Sequence, residues 1–164
     1  MNSPTLSATM VTGHYGFADI HKQTDNDHHL LVATKSFVAE QVISKFSSSE
    51  IHATPSRYTV QINEHEHIIL KPEFLQYINH SCNPNAFFNT STMELVALRN
   101  IEPGEEFTFF YPSTEWFMAD PFQCLCGEVN CIGTIRGAME LSVDVLANYR
   151  LTDFIASKRN HLND

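Results

Sequence analysis

Residues 79–85 read Asn79-His80-Ser81-Cys82-Asn83-Pro84-Asn85, a polar stretch with apolar residues on both sides. Asparagine and serine side chains bond the backbone locally, and Pro84 fixes one φ angle and lacks an N–H donor. A polar segment that enters a core is costly to bury unless each polar group finds a partner. Composition alone leaves two interpretations open, a surface turn or a polar loop built into the core.

Two further segments favour the buried loop. Residues 101–111 read IEPGEEFTFFY, a turn followed by an aromatic strand, and residues 124–131 read CLCGEVNC. The NHSC loop, the GEEFT strand that ends in tyrosine and the CxCx4C spacing, in this order, resemble the SET-domain protein lysine methyltransferases that carry a zinc-binding post-SET segment. The resemblance covers roughly residues 31–137.

The resemblance implies a mainly β protein with few short helices. The expected architecture is a SET-domain (β-clip-like) fold, in which the polar loop and the aromatic strand cross in a pseudoknot. The chain would comprise an N-terminal arm at residues 1–27, the SET domain at 28–117, a zinc-bound post-SET segment at 118–137 and a helical C-terminal tail at 138–164. Because the hydrophobic periodicity of the arm is weak, we expect it to be only partly ordered.

Alternating apolar residues and turn signals predict several short elements. Strands are predicted at residues 30–34 and 42–46, a hairpin at 58–62 and 67–70, a short helical turn at 71–75, a strand pair at 86–88 and 94–98, and a strand at 107–111. Ser142 and Thr152 are candidate N-caps for helices over residues 143–149 and 153–159.

The composition is that of one ordinary globular domain: 164 residues, of which 43% are hydrophobic. No run approaches the ~20 apolar residues of a membrane span, and no signal peptide is recognisable, so an intracellular location is expected. The net charge is −9 with ten Lys and Arg and no basic cluster. This charge argues against direct nucleic-acid binding and suits a cationic partner such as a lysine-bearing peptide. The sequence leaves the oligomeric state open.

Four cysteines in an intracellular chain favour metal binding over disulfides. Cys124, Cys126 and Cys131 lie within eight residues, and the fourth is Cys82 of the central loop. Four soft ligands match one closed, structural zinc site. The alternative, four unrelated buried thiols, leaves the CxCx4C spacing unexplained. Paired histidines at His65 and His67 also invite a metal interpretation, but no third ligand lies near them, and exposed hairpin histidines are expected.

The resemblance also assigns roles to individual residues. Tyr111 matches the catalytic tyrosine, Asn79 and His80 match positions that hold S-adenosylmethionine (SAM), and Phe109 matches the position that limits how many methyl groups fit. Leu125 and Ile135 are candidates for apolar contact near the cofactor. Aromatic walls suit an alkylammonium channel through cation–π attraction. The candidate channel residues are Phe109, Tyr77, Trp116 and Phe117, the last two with plain core packing as the alternative.

Three positions depart from the family pattern. Residues 27–31 lack the usual GxG, Gln76 replaces an arginine, and Phe110 replaces an acidic residue. The leading interpretation is a SAM-dependent protein-lysine N-methyltransferase, with histone as the family's default substrate. The alternatives are a non-catalytic SET module that binds a peptide or protein partner, and a SAM-dependent enzyme that acts on a small molecule.

Overall fold

The computed structural model describes residues 8–161, which form short strands in small sheets with two short α-helices and three 3₁₀ helices. The strands are β1 Thr9–His14, β2 Ala18–Gln23, β3 His29–Ala33, β4 Val42–Lys45, β5 Ser47–His52, β6 Thr59–Gln61, β7 His67–Lys71, β8 Asn79–His80, β9 Ala86–Asn89, β10 Glu94–Ala97, β11 Thr108–Phe109, β12 Phe122–Gln123 and β13 Thr134–Ile135. The helices are η1 Glu73–Tyr77, η2 Tyr111–Ser113, η3 Ala138–Glu140, α1 Val143–Leu146 and α2 Asp153–His161.

The N-terminal sheet is an antiparallel meander in the order β1-β2-β3. Strand β3 confirms the strand predicted at residues 30–34, and its Leu31 and Ala33 enter the core. Residues 1–7 of the predicted arm lie outside the described residues, and its residues 8–27 contain β1 and β2, which continue the meander. Ala18 and Ile20 of β2 are buried against the core, a contact that weak local periodicity did not reveal.

The predicted hairpin at residues 58–70 is confirmed as β6 and β7, and β5 adds a third strand in the order β5-β7-β6. Strand β5 was not predicted, because its sequence, SSSEIH, offers no apolar alternation. The prediction of exposed hairpin histidines holds for His65 and is wrong for His67, which is 4% exposed. His67 lies where β7 is flanked by both neighbouring strands.

A third sheet, in the order β4-β10-β9, confirms the strand pair predicted at residues 86–98. Its inner side chains, among them Phe88 and Leu95, are fully buried in the main hydrophobic core. The turn that leaves this sheet has Pro103 and Gly104 at its centre, closed by the Glu105 N–H on the Glu102 carbonyl. Gly104 has φ +92°, as the third position of such a turn requires, and the turn delivers the chain to β11.

The polar loop and the aromatic strand meet in a parallel pair, β8 with β11, in which Asn79 faces Thr108 and His80 faces Phe109. Strand β11 is shorter than the strand predicted at residues 107–111, because Tyr111 already begins the 3₁₀ helix η2. A second set of bonds holds the far end of the loop to the same strand, through Asn85. The loop therefore crosses the strand, as the expected pseudoknot requires.

The C-terminal tail packs through a second hydrophobic cluster that includes Phe110, Trp116, Leu146 and Ile155. Both predicted helix caps are confirmed: the Ser142 side chain accepts from the Val145 N–H, and the Thr152 side chain accepts from the Ile155 N–H. Within residues 8–161, no helix is long and apolar enough to cross a membrane.

Candidate functional site

The central loop is buried at Ser81, Cys82 and Asn85, and the strand that it crosses satisfies the Asn85 side chain. Asn85 is 1% exposed and Cys82 is fully buried, so the surface-turn interpretation is wrong. The Asn85 side chain donates from Nδ2 to the Glu106 carbonyl at 2.8 Å and accepts at Oδ1 from the Thr108 N–H at 2.9 Å. These bonds offset the desolvation of a buried amide and fix the loop against β11.

Asn79 connects the loop to the N-terminal sheet and to a carboxyl group. Its Nδ2 donates to the His29 carbonyl at 2.8 Å and to Glu106 Oε1 at 2.9 Å. Burial raises the pKa of Glu106, and the bond from Asn79 opposes that rise. Sequence reasoning did not single out Glu106. The signal that could have found it is its position: Glu106 is the second glutamate of the GEEFT stretch and lies just before β11, which pairs with the loop.

His80 links the tyrosine to the cysteine cluster. The Tyr111 backbone N–H donates to His80 Nδ1 at 3.1 Å, and His80 Nε2 lies 3.4 Å from Cys82 Sγ. Burial lowers the pKa of His80 to about 4, so the ring is neutral near pH 7. With Nδ1 used as an acceptor, the single proton sits on Nε2 and points at the sulfur. The His80 side chain thus contacts both the Tyr111 backbone and the Cys82 sulfur, and it can orient both.

Tyr111 presents a partly buried phenol beside an apolar wall. Burial raises the pKa of Tyr111 to about 12, so the hydroxyl keeps its proton. The hydroxyl lies 3.5 Å from the Ile78 carbonyl, which is the end of the segment leading into the central loop. The ring lies 4.7 Å from that of Phe109, which in turn contacts Phe88 at 4.9 Å. The phenol can donate a hydrogen bond or present its oxygen in a dry setting.

The other aromatic residues assigned to the channel lie in different places. Tyr77 stacks on the ring of His29 at 4.9 Å, beside the carbonyl that Asn79 binds. Trp116 is 5% exposed within the C-terminal cluster, with Lys158 Nζ 5.3 Å from its ring centre. Phe117 is 53% exposed. Only Phe109 contacts the Tyr111 ring directly among these four predicted residues.

The four cysteines converge. The sulfur atoms of Cys82, Cys124, Cys126 and Cys131 all lie within 4.8 Å of one another, and Cys82 Sγ and Cys124 Sγ are 3.9 Å apart. Tetrahedral zinc with Zn–S bonds of about 2.3 Å requires sulfurs about 3.8 Å apart, so the residues fit the ion. No disulfide joins them. Burial raises the pKa of the Cys82 thiol, which a cation would offset.

Two residues that sequence reasoning missed bind the backbone of Cys82, the cysteine that the central loop contributes to this cluster. Asn130 Nδ2 and the Tyr149 hydroxyl both donate to the Cys82 carbonyl, each at 2.7 Å. The Tyr149 ring also stacks on Phe110, with centres 3.6 Å apart. Tyr149 lies in the C-terminal tail, 67 positions from Cys82, so no local pattern signals the contact. Leu125, assigned to the cofactor, is 91% exposed, whereas Ile135 is fully buried against the cysteines.

A buried carboxyl group, Glu115, lies four residues after Tyr111 and was also missed. Its backbone N–H donates to the Tyr111 carbonyl at 3.1 Å. Its Oε1 accepts from the Gln61 N–H at 2.9 Å and from the Thr114 hydroxyl at 3.0 Å. In return, Gln61 Oε1 accepts a hydrogen bond from the Trp116 N–H at 2.9 Å. This exchange ties the segment after the tyrosine to the edge of β6.

The crossed loop, the tyrosine that begins η2 just after β11 and the cysteines that close on the loop define a SET-type methyltransferase fold. The family model described as the SET domain matches residues 19–112, and the chain belongs to this family.

Known proteins of this family resemble the chain over different lengths. The methyltransferase flvH of Aspergillus flavus is 40% identical over 136 residues, which cover 77% of this chain and 76% of that protein. The H3 lysine-36 specific histone-lysine N-methyltransferase of Mycosarcoma maydis is 43% identical over 68 residues, which cover 38% of this chain and 7% of that protein.

Crystal structures of KRYPTONITE share the fold. The complex with mCHG DNA and S-adenosylhomocysteine (SAH) superposes with a TM-score of 0.52 at 23% identity, over 65% of this chain and 26% of that one. The complex with mCHH DNA, H3(1–15) peptide and SAH has the same TM-score at 21% identity, over 70% and 28% of the two chains.

Proposed function

We propose that the protein is a SAM-dependent lysine N-methyltransferase that acts on the ε-amine of a lysine in a peptide or protein. The observation that carries this proposal is the setting of Tyr111. Its phenol is neutral, its ring packs on Phe109, and its backbone is fixed by His80. Methyl transfer to an amine needs alignment and the exclusion of water more than a strong base, and this arrangement supplies both.

SAM supplies an electrophilic methyl group when it is bound. Asn79 is held rigidly through Nδ2, and its Oδ1 accepts no hydrogen bond from residues 8–161, so this oxygen is available to a cofactor donor. Leu125 is exposed and free to cover the cofactor, as the resemblance implies. Phe109 and Phe88 form a wall that keeps water from the reacting amine. Tyr111 orients the amine with its hydroxyl and stabilises the positive charge that gathers around the methyl group.

The cysteine cluster would hold one structural zinc ion. All four ligand positions are filled by sulfur, so no open position remains for water or substrate. The ion would clamp residues 118–137 onto the central loop and so complete the cofactor side of the site. We infer an intracellular location, because four cysteines grouped as a zinc site, with no disulfide among them, suit a reducing compartment.

Histone H3 is the first substrate to test, because relatives are named for H3 lysine 36 and a KRYPTONITE complex contains an H3 peptide. We infer that DNA contact is not part of the function of this chain. The support is the net charge of −9 with ten Lys and Arg. The KRYPTONITE complexes contain DNA, but this chain matches 26% to 28% of their length.

Radiolabelled SAM tests the proposal directly. The purified protein is incubated with recombinant histone H3, an H3 peptide that contains lysine 36, a peptide with that lysine replaced by arginine, free L-lysine and n-hexylamine. We expect label on a lysine-containing protein or peptide, abolished by the arginine replacement, and mass spectrometry to locate the methylated lysine. SAM binding measured by calorimetry with no transfer to any amine would instead indicate a non-catalytic module.

A small-molecule amine is a second candidate, and the edge of β6 favours it. An extended peptide that adds to a sheet edge needs free backbone donors there. The outward N–H groups of β6 are already used: that of Thr59 by the Ser56 carbonyl and that of Gln61 by Glu115. The N–H of Ile62, just beyond the strand, donates to the Glu66 carbonyl. Transfer to n-hexylamine or lysine, without transfer to any peptide, would select this second function.

A further inference from the structure

The side-chain nitrogen of Asn79 lies within hydrogen-bond distance of three acceptors. Its Nδ2 is 2.8 Å from the His29 carbonyl oxygen, 2.9 Å from Glu106 Oε1 and 3.3 Å from His28 Nε2. An amide nitrogen carries two hydrogens and only donates, whereas a carbonyl and a carboxylate only accept. The contact with His28 therefore requires Nε2 to be the ring nitrogen that carries no proton. All three neighbours select a nitrogen at this end of the amide.

These contacts decide which way the Asn79 amide is turned. The two ends of an asparagine amide have nearly the same shape, so only hydrogen bonding distinguishes them. A reversed amide would place its oxygen against a carbonyl oxygen, a carboxylate oxygen and a ring lone pair. Two hydrogen bonds, one of them to a carboxylate, would give way to repulsive contacts. The Asn79 oxygen is therefore held away from these three groups.

The carboxyl group that fixes the amide is itself anchored by the backbone. Glu106 pairs with Val32 of β3 in a single antiparallel bridge, and its carbonyl accepts a hydrogen bond from Asn85 Nδ2 at 2.8 Å. Strand β3, the central loop and the segment before β11 therefore meet at Asn79. A carboxylate and a carbonyl oxygen beside the amide make this corner electronegative, so it favours a cationic donor over a neutral one.

We propose that Glu106 and His28 are positioning residues, which turn the Asn79 amide so that its oxygen is presented to the ammonium group of the cofactor's amino-acid part. The inference rests on the proposed function, which places SAM beside Asn79. An ammonium group only donates hydrogen bonds, so it requires an oxygen there and is repelled by an amide NH₂ group. The inference also gives a use to His28, which lies in the stretch without a GxG.

Calorimetric binding of two ligands tests the proposal without methyl transfer. The probes are SAH and deamino-SAH, which lacks only the amino group. The test variants are Glu106→Gln and His28→Ala. The amide of the introduced glutamine can donate to the Asn79 oxygen, so both orientations of Asn79 become possible. The controls are Glu105→Gln, which removes the same charge one residue earlier, and His65→Ala, which removes an exposed histidine of the β6–β7 hairpin.

We expect the wild-type protein and both controls to bind SAH at least about tenfold more tightly than deamino-SAH. Glu106→Gln should lose this preference and keep its affinity for deamino-SAH. His28→Ala should reduce the preference about threefold, because it removes one neutral contact. Equal affinity of the wild-type protein for the two probes, or binding of neither, overturns the proposal. A preference that a folded Glu106→Gln protein retains also overturns it.

A second measurement needs neither a ligand nor a folded Glu106→Gln protein. NMR of protein with isotopically labelled asparagine follows the exchange of the Asn79 side-chain protons with water, and Asn79→Ala identifies their signals. We expect slow exchange in the wild-type protein and faster exchange in His28→Ala. Wild-type exchange as fast as that of exposed asparagines would overturn the proposal. A protein that prefers SAH as described and labels no amine would refute the proposed function and leave this inference intact, whereas transfer without the preference would refute this inference alone.

Discussion

Replacing Glu115 by glutamine should stabilise the protein at neutral and alkaline pH. Burial raises the pKa of this carboxyl group from 4.5 to about 7, so the native state holds the proton more tightly than the unfolded chain does. Protonated Glu115 therefore contributes stability to the wild-type protein. This contribution is complete below the unfolded pKa of 4.5 and is lost as the pH rises through the native pKa of about 7. At roughly 1.4 kcal/mol per pH unit, the loss amounts to about 3 kcal/mol.

Urea denaturation between about pH 4.5 and 8.5 measures this effect, with the free energy of unfolding of the variant subtracted from that of the wild-type protein. Other titrating groups are common to both proteins and cancel in the difference. We expect the variant to be the more stable by about 3 kcal/mol above pH 7, and its advantage to shrink toward pH 4.5. A difference that stays constant across this range would show that Glu115 titrates as it does in the unfolded chain, and the reasoning from burial would be refuted.

The remaining predictions concern the phenol, the cysteines and the channel wall. Tyr111→Phe should leave SAM binding by calorimetry intact while kcat falls by more than about tenfold, because the hydroxyl acts mainly in the transition state; a smaller fall would remove Tyr111 from the catalytic role. Cys82→Ser and Cys131→Ser should each reduce bound zinc, measured by elemental analysis against wild-type protein at one ion per chain, and a chelator should loosen residues 118–137 in hydrogen exchange before the core melts. Metal-free wild-type protein with full protection of that segment would exclude the clamp. Phe109→Tyr should shift the product toward monomethyl-lysine, because a hydroxyl there can hold the amine or a water in one pose. The readout is the ratio of mono-, di- and trimethyl product by mass spectrometry, and a wild-type enzyme that stops at monomethyl under excess SAM would contradict it.

The sequence predicted the parts of the fold that depend on local signals. The hairpin of β6 and β7, the pair of β9 and β10, and the caps Ser142 and Thr152 follow from alternation and capping chemistry over a few residues. Strand β5 was missed because SSSEIH pairs through its backbone and buries no apolar side chain. A strand of this kind is specified by its neighbour, and the neighbour is not visible in the local pattern.

The residues of the candidate site also fall into two groups, those that the sequence predicts and those that it does not. Its loop, tyrosine and cysteines carry recognisable spacings, so the sequence predicts them. It does not predict Glu106, Glu115 and Tyr149, because each owes its role to partners far along the chain: Asn79, Gln61 and Cys82. Burial raises the pKa of Glu106 and of Glu115, and the bonds from Asn79 and Gln61 oppose that rise. Neither the burial nor the partner is encoded within a short window of sequence.

The crossing of β8 and β11 has a consequence for the order in which the chain folds. The amide of Asn85 and the ring of His80 find their partners only when residues 106–111 arrive, so the loop cannot settle earlier. The cysteines that close on Cys82 come later still, and Tyr149 last. Contacts over such separations are slow to form, because loop closure precedes any gain from them. During synthesis, the side chains of Asn85 and His80 therefore stay without these partners until residues 106–111 have left the ribosome.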